Sequence, residues 1–297
     1  MKAMKISRQQ FDTLVHLLDH THDTLADALN TCAAQANQLC ADLKDMGLIG
    51  ENMQVTALGL AALEPFRTRR VIFLAAGFGS RLRPATLNVP KPLVRVHGQP
   101  IICSAINAAL AAGIEEIYIV RGYLGECFDI LLRRYPQLHL IDNPDYETAN
   151  NISSAMQVRH LMKNAYVMEA DLLINNPAVF HKYNYTSNCL GVPVEKTDDW
   201  CVISENGIAK QLVKGGEKCH HLFSIYYMSS ESGEKLPAQL EELFASPGGR
   251  DMFWDIAPMN RYNDAHHIEI RECKFADISE IDTYKELQAL DSNYIMN

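Results

Sequence analysis

The chain has 297 residues, enough for one large domain and a small appendage, and its 47% hydrophobic and 21% charged content is that of an ordinary folded protein. A net charge of −9 excludes a general nucleic-acid coat, because phosphate backbones are held by clustered lysine and arginine, so any anion site must be local. No leader-type apolar stretch opens the chain and no run of about 18 apolar residues occurs, so a cytoplasmic protein with no membrane partner is expected, and a homo-oligomer is allowed.

Within residues 1–66, Phe11, Leu14, Val15 and Leu18 recur at helical spacing and mark an amphipathic helix. A second short helix is expected after Thr21, whose side chain can cap it, with Leu25, Ala28 and Leu29 buried. Ala36, Leu39, Cys40 and Leu43 mark a third, ended by Gly47. Short extended pieces around Glu51 and Asn52, then an apolar helix over 57–63, complete the order of a winged-helix domain. Such domains read DNA with the third helix, but here that helix carries Asp42 and Asp45 against Lys44. Residues 1–66 hold eight acidic side chains against four basic ones, so DNA is not the expected partner and a structural or protein-contact role is.

Pro65 and the arginines Arg67, Arg69 and Arg70 form a junction, and a catalytic domain is expected over 67–297. Val71 opens a buried strand that runs to Leu74. Helices predicted at 101–112, 124–135 and 152–161 alternate with strands at 117–120, 138–141 and 166–169, the pattern of a largely parallel sheet with helices on both faces. After Asn175 come candidate strands at 189–193, 200–203, 208–213 and 222–228, two helical segments, and a terminal helix at 281–290 capped by Ser279 or Asp282. The expected class is α/β, a Rossmann-like mixed sheet flanked by helices and preceded by the small winged-helix domain. The eight cysteines contain no CxxC pair, so buried reduced thiols are expected rather than a zinc site or disulfides.

The stretch Leu74, Ala75, Ala76, Gly77, Phe78, Gly79, Ser80 and Arg81 places glycines directly after a strand. Backbone N–H groups there can approach a polyphosphate with no side chain in the way. Arg81 adds a fork of donors and Lys91, within Pro90-Lys91-Pro92-Leu93, a mobile point charge. A dinucleotide fingerprint would need a third glycine where Leu82 stands, and no Gly-Lys-Ser or Gly-Lys-Thr follows to make a Walker loop. A triphosphate cradle of another kind is implied.

Residues 71–102 resemble the N-terminal signature of the sugar-nucleotide type nucleotidyltransferases, which activate a phosphorylated acceptor and release pyrophosphate. That resemblance implies that Gly77 and Gly79 hold the triphosphate, that Arg81 grips its β- and γ-phosphates, and that Lys91 meets the α-phosphate and the acceptor. Gly122-Tyr123-Leu124, Asn143 to Tyr146, Asn150-Asn151 with Ser153-Ser154, Glu169-Ala170-Asp171, Asp199-Trp200, Phe253-Trp254-Asp255 and Glu280-Ile281-Asp282 resemble the bacterial phosphocholine cytidylyltransferase branch. Forms with an N-terminal winged helix are found among these enzymes too. Two departures stand out: Leu172-Leu173 follows Asp171 where the branch has a polar-aromatic pair, and Asp255 continues as Ile256-Ala257-Pro258.

Asp171 ends an apolar strand, where open α/β sheets place their ligands, and can hold Mg²⁺ against a triphosphate. Asp255, matching the family's second aspartate, is expected to complete the metal site. The resemblance puts Gly122, Tyr123, Asn150, Asn151, Ser153 and Ser154 at the nucleotide. A quaternary ammonium offers no N–H, so it is held by aromatic faces, and Trp200, Tyr226, Phe253 and Trp254 are the candidates for that cage. The reaction implied is in-line attack of phosphocholine on the α-phosphate of CTP, with Lys91, Arg81, Asp171 and Asp255 as the catalytic set. Alternatives are another phosphorylated acceptor (a sugar 1-phosphate, phosphoethanolamine or 2-aminoethylphosphonate) or a nucleotide-sensing winged-helix regulator. His220, His221, His266 and His267 read as surface or packing residues.

Overall fold

The computed structural model describes residues 4–295. These divide into two compact units, Met1–Arg67 with Tyr183–Tyr185, and Thr68–Lys182 with Thr186–Asn297.

In the first unit, Ser7 starts helix α1 (Arg8–Asp19) through a capping box in which its hydroxyl accepts from the Gln10 N–H and the Gln10 side chain accepts from the Ser7 N–H. A 3-10 turn, His22–Thr24, leads into the short α2 (Leu25–Ala28), and α3 follows as Ala33–Asp45. Thr21 occupies the cap position, but its side chain makes no capping bond and of the three expected apolar positions only Leu25 is fully buried. Glu51 and Asn52 lie in a turn rather than in extended pieces, because the strand-like pairing contracts to a single antiparallel bridge between Ile49 and Val55. Thr56 then caps α4 (Ala57–Leu63) by accepting from the Gly59 N–H. Phe11, Leu14, Leu25, Leu43, Leu48 and Leu63 close over one another as this unit's core, each worth about 2 kcal/mol of burial.

The second unit opens with β1 (Arg70–Ala75), a small hairpin of β2 (Arg95–Val96) and β3 (Gln99–Pro100), and α5 (Ile101–Ala111). Then come β4 (Glu116–Arg121), α6 (Asp129–Leu132), β5 (Leu138–Asp142), α7 (Ile152–Val158), β6 (Ala165–Glu169) and β7 (Leu172–Ile174). The chain continues as β8 (Ser187–Glu205), β9 (Ile208–Met228), α8 (Ser230–Ala245), β10 (Ile268–Glu272), β11 (Ile278–Glu280) and α9 (Tyr284–Leu290). The main sheet runs β10-β8-β9-β6-β1-β4-β5. β6, β1, β4 and β5 are mutually parallel, and β9 joins them antiparallel through β6. The sheet is therefore mixed: β9 is antiparallel to β6 and β8, and β10 pairs parallel with β8 at the edge.

Alternation along β1 sends Val71 and Phe73 into one core, with Ile106, Phe128 and Tyr166, and Ile72 and Leu74 into the other, with Val120, Val167 and Trp254. Both faces are covered, which is why this strand reads as a continuous apolar run.

Three expectations change. The four strands foreseen after residue 187 are two long ones, because the polar stretch at 194–199 and the Gly215-Gly216 pair, which read as loops, stay extended. Cys201 pairs with both Val213 and His221, so the β8–β9 ribbon folds back on itself at a corner where Trp200 faces Lys214. The helix foreseen at 124–135 is a 3-10 turn, Gly125–Phe128, followed by the single turn of α6. The terminal helix begins at Tyr284 and is capped by Thr283 with Glu286, not by Ser279 or Asp282; Ser279 lies in β11, which pairs with β7 in a small sheet the pattern did not announce. Five cysteines are buried and Cys32 is exposed. Among the described residues no helix is long and apolar enough to cross a membrane.

Candidate active site

The parallel strands end at a cleft of about 770 Å³, joined to a smaller cavity of about 330 Å³ by shared walls at Leu74, Gly77, Phe78, Arg81, Glu169, Asp171 and Asp282. Carboxyl ends of parallel strands are where open sheets leave room for ligands.

The smaller cavity is the loop's. Gly79 sits at φ +59°, and a Cβ there would lie 2.9 Å from the Cβ of Lys91 and 3.2 Å from Thr86, so glycine is required both by conformation and by space. The Thr86 hydroxyl donates to the Gly79 carbonyl at 2.9 Å and closes the loop. Gly77, by contrast, faces open space.

Lys91 Nζ lies 2.6 Å from Asp171 Oδ2 and 2.9 Å from Asp282 Oδ1, and Arg81 makes two contacts to Asp282 at 2.9 and 3.0 Å. Burial alone would lower the Lys91 pKa, but Asp171 and Asp282 outweigh it and hold the ammonium above its ordinary value. Two cations and two carboxylates thus form one network at the mouth of the loop.

A third carboxylate completes it. β11 pairs antiparallel with β7 so that Glu280 stands opposite Leu172, and the Ile281 N–H donates to the Asp171 carbonyl at 3.3 Å. One oxygen each of Asp171, Glu280 and Asp282 therefore falls within 4.8 Å of the others. Burial, reinforced by Asp171 and Asp282, pushes Glu280 up to about 8. Asp171 Oδ1 is buried without a hydrogen-bond partner among the described residues. An orphaned buried oxygen beside two further carboxylates fits a hard divalent cation, which takes oxygen ligands and keeps water or phosphate in its remaining positions.

Part of the lining of the large cleft is aromatic and acidic. Trp200 and Phe253 meet edge to face at 5.5 Å, and Asp199, Lys214 and Asp251 line the same cleft. Phe253 is 38% exposed, large for a ring of its size.

Residues 70–213 match the family described as nucleotidyl transferase. The 2-aminoethylphosphonate cytidylyltransferase of Lancefieldella rimae is 32% identical over 228 residues, 75% of this chain and 92% of that protein. The choline-phosphate cytidylyltransferase of Streptococcus pneumoniae is 30% identical over 225 residues, 75% of this chain and 96% of that protein. This chain belongs to the nucleotidyltransferase family. The solved structure of the CTP:phosphocholine cytidylyltransferase from Streptococcus pneumoniae superposes with a TM-score of 0.70 at 27% identity, covering 77% of this chain and all of that one.

The nucleotidyltransferase site gathers most of the residues singled out in the sequence. Ala75, Gly79, Ser80 and Lys91 line the smaller cavity, Ala76 the larger, and Leu74, Gly77, Phe78 and Arg81 both. Gly122 and Tyr123 line neither. Gly122 packs against Tyr146 and Ala76, where a Cβ would approach to 2.6 Å, and the Tyr123 hydroxyl donates to the Thr86 and Leu87 carbonyls, so they brace the loop from behind.

Asn150, Asn151, Ser153 and Ser154 do line the large cleft, but much of their polar capacity is used within the protein. Buried Asn143, a residue given no role beforehand, donates to both serine hydroxyls at 2.9 and 3.0 Å.

Asp255 borders the cleft outside the three-carboxylate group: it is buried, its Oδ2 accepts from the Tyr226 hydroxyl at 2.8 Å, and its Oδ1, like that of Asp171, has no hydrogen-bond partner among the described residues. Burial lifts it to about 6, against the lowering effect of that hydrogen bond. The four-ring cage also shrinks. Trp254 is 2% exposed and Tyr226 fully buried, packed against each other at 5.1 Å within the core, and only Trp200 and Phe253 turn a face to the cleft. Glu280 and Asp282 were singled out only within the family-like segment Glu280-Ile281-Asp282, and their approach to Asp171 depends on the β7–β11 pairing, for which the sequence carried no signal.

Proposed function

We propose that the protein transfers a cytidylyl group from CTP to phosphocholine, giving CDP-choline and pyrophosphate. The observation that carries this reading is a cationic, carboxylate-rich cavity that opens into a larger cleft lined also by aromatic and acidic side chains, a setting for a triphosphate beside a positively charged head group. The cytidylyltransferases among its relatives support the nucleotide.

In this reading the triphosphate enters over Gly77 and Gly79, and Arg81 and Lys91 exchange carboxylate oxygens for phosphate oxygens. Phosphocholine lies with its ammonium against Trp200 and Phe253 and its phosphate toward Lys91 and Lys214. An acceptor oxygen, already anionic at neutral pH, forms a bond to the α-phosphorus as the bond to the β-phosphate oxygen breaks, and pyrophosphate leaves with the electron pair. No general base is required, so positioning and charge stabilisation carry the rate. Mg²⁺ held by Asp171, Glu280 and Asp282 would neutralise the charge that gathers on the reacting phosphates.

A second reading replaces phosphocholine by 2-aminoethylphosphonate. The relative at 32% identity favours it, as do Asp199 and Asp251 along the cleft, which can accept N–H bonds from a primary amine. Pyrophosphate release with CTP, Mg²⁺ and each acceptor in turn separates the two. Phosphocholine is expected to exceed 2-aminoethylphosphonate, phosphoethanolamine and sugar 1-phosphates by about tenfold in kcat/KM, or ~1.4 kcal/mol of discrimination. Equal or greater turnover of the aminoethyl acceptor overturns the choline assignment.

For the first unit, the order of three helices, a tight bridge and a further helix supports a winged-helix module, and acidic α3 supports a protein contact over DNA. Salt-sensitive binding of a DNA duplex by the whole chain would reverse that preference.

A further inference from the structure

The structure assigns to Asn151 a positioning role: its side chain clasps the segment that carries Phe253 to the end of β6, and so sets the height of the acceptor wall. The inference rests on the site described above and on the acceptor end proposed for it.

Asn151 stands at the start of α7, yet its side chain makes no capping bond. The carboxamide is spent elsewhere. Its Nδ2 donates to Glu169 Oε1 at 2.6 Å, and its Oδ1 accepts from the Trp254 N–H at 2.9 Å. One side chain thus makes two bonds of opposite polarity, to residues 18 and 103 positions away. A carboxamide carries donor and acceptor on one short planar group; aspartate lacks the donor, and alanine lacks both.

The two partners matter because of where they sit. Glu169 ends β6, two residues before Asp171, and lines both cavities. Trp254 is buried, but the N–H that Asn151 receives belongs to the peptide joining it to Phe253, whose ring forms the cleft wall with Trp200. Displacing that peptide moves Phe253 while Trp254 remains anchored against Tyr226.

Asn150 reinforces the clasp. Its N–H donates to the Arg250 carbonyl at 2.7 Å and its Nδ2 to the Asp251 carbonyl at 3.0 Å, and its Oδ1 accepts from the Asn151 N–H at 2.7 Å. The Arg250 guanidinium then reaches back to Asp145 at 2.8 Å and Thr148 at 3.2 Å. Residues 145–151 and 250–254, distant in sequence, are laced together along one side of the cleft. Among these bonds only those of the Asn151 carboxamide reach both the strand before Asp171 and the peptide after Phe253, which makes Asn151 the residue whose loss uncouples the acceptor wall from the phosphate end.

The test is steady-state kinetics of the full chain with CTP and phosphocholine varied separately. In Asn151→Ala the acceptor KM should rise about tenfold, and by more than the KM for CTP. In Asn151→Asp with Glu169→Gln, donor and acceptor exchange places across the same contact, and the acceptor KM should return to within about threefold of wild type. Hydrogen exchange supplies the structural readout: the Trp254 amide should exchange faster in N151A and regain protection in the double variant. An unchanged acceptor KM in N151A overturns the assignment, as does an equal rise in both KM values or a double variant no better than N151A. Were N151A too unstable to assay, the double variant alone decides, since wild-type-like kinetics and Trp254 protection support the clasp and their loss refutes it. Failure of the wild type itself to use any amine-bearing acceptor would instead sink the proposed function.

Discussion

The two ends of the cleft are built by different means. The phosphate end draws Gly77, Gly79, Arg81 and Lys91 from one continuous stretch after β1, and its charges meet at 2.6 to 3.0 Å. The acceptor end draws Trp200 from a corner of the β8–β9 ribbon and Phe253 from a loop some fifty residues later, joined by a ring contact at 5.5 Å. The first sets cations from one stretch against Asp171 and Asp282, 80 and 191 positions from Lys91, through strong electrostatics. The second is assembled by long-range packing and held by weaker, shape-dependent contacts. Reaction type should therefore depend steeply on single residues at one end, and substrate choice should depend gently on single residues at the other.

The largest effect belongs to the phosphate end. Asp171→Asn removes a carboxylate from the three-oxygen group and leaves Lys91 with Asp282 alone, and kcat should fall about a thousandfold, ~4 kcal/mol of transition-state stabilisation, with Tm little changed. Divalent-metal affinity, titrated with Mn²⁺ and no nucleotide present, should fall in parallel. Full turnover by D171N would erase the contrast between the two ends.

The acceptor end should split according to exposure. Trp254→Ala empties a site in the core and should cost about 3 to 5 kcal/mol of stability in a denaturant titration. Phe253→Ala, whose ring faces the cleft, should leave the Tm near wild type and raise the phosphocholine KM about tenfold. If Trp254 were the cage residue, the two variants would exchange phenotypes.

This division also governs what could be read in advance. The triphosphate loop was legible because its chemistry lies in one stretch and its alternatives could be excluded residue by residue, Leu82 in place of a third glycine being the decisive one. The parallel strands were legible because burial on both faces writes continuous apolar runs such as the one from Val71 to Leu74. The third carboxylate was not, since Glu280 reaches Asp171 only through a three-residue pairing of β7 with β11. Nor was the bent ribbon, whose polar middle is extended because each strand finds hydrogen bonds in the other, a fact absent from either strand's own sequence. Tyr226 was placed in the cage for its ring and Trp254 for its ring and its family-like segment, and the two are buried against each other.

Acidification offers a smaller perturbation, read as a difference between variants because Asp255 and Glu280 titrate as well. His266 is 7% exposed; its Nε2–H donates to Gln239 Oε1 at 2.7 Å, and its Nδ1 has no partner among the described residues. Burial, aided by Lys235 and opposed by Glu231, lowers its pKa to about 4. The folded protein thus keeps this ring neutral where the unfolded chain, near 6.5, takes up a proton. Its stability contribution is complete above pH 6.5 and is lost as pH falls toward 4, reaching about 2 kcal/mol at pH 5. Over that window the denaturation midpoint of wild type should fall relative to that of His266→Gln.

The smallest effect discriminates most finely. Thr283 caps α9 with the reciprocal bond from Glu286, directly after Asp282, whereas Thr56 caps α4 in the helical unit. Replacing either threonine by alanine removes one cap bond and should cost about 1 kcal/mol of stability. Their consequences for turnover should differ. The Asp282 N–H also donates to the Glu286 side chain, at 2.7 Å, so fraying the first turn of α9 loosens the carboxylate that holds both Lys91 and Arg81. Thr283→Ala is expected to lower kcat/KM for CTP about threefold, while Thr56→Ala keeps the wild-type value. Equal losses in the two variants would mean that the helical unit bears on the reaction as strongly as a residue adjoining the charge network, and the contrast would then have to be redrawn to include it.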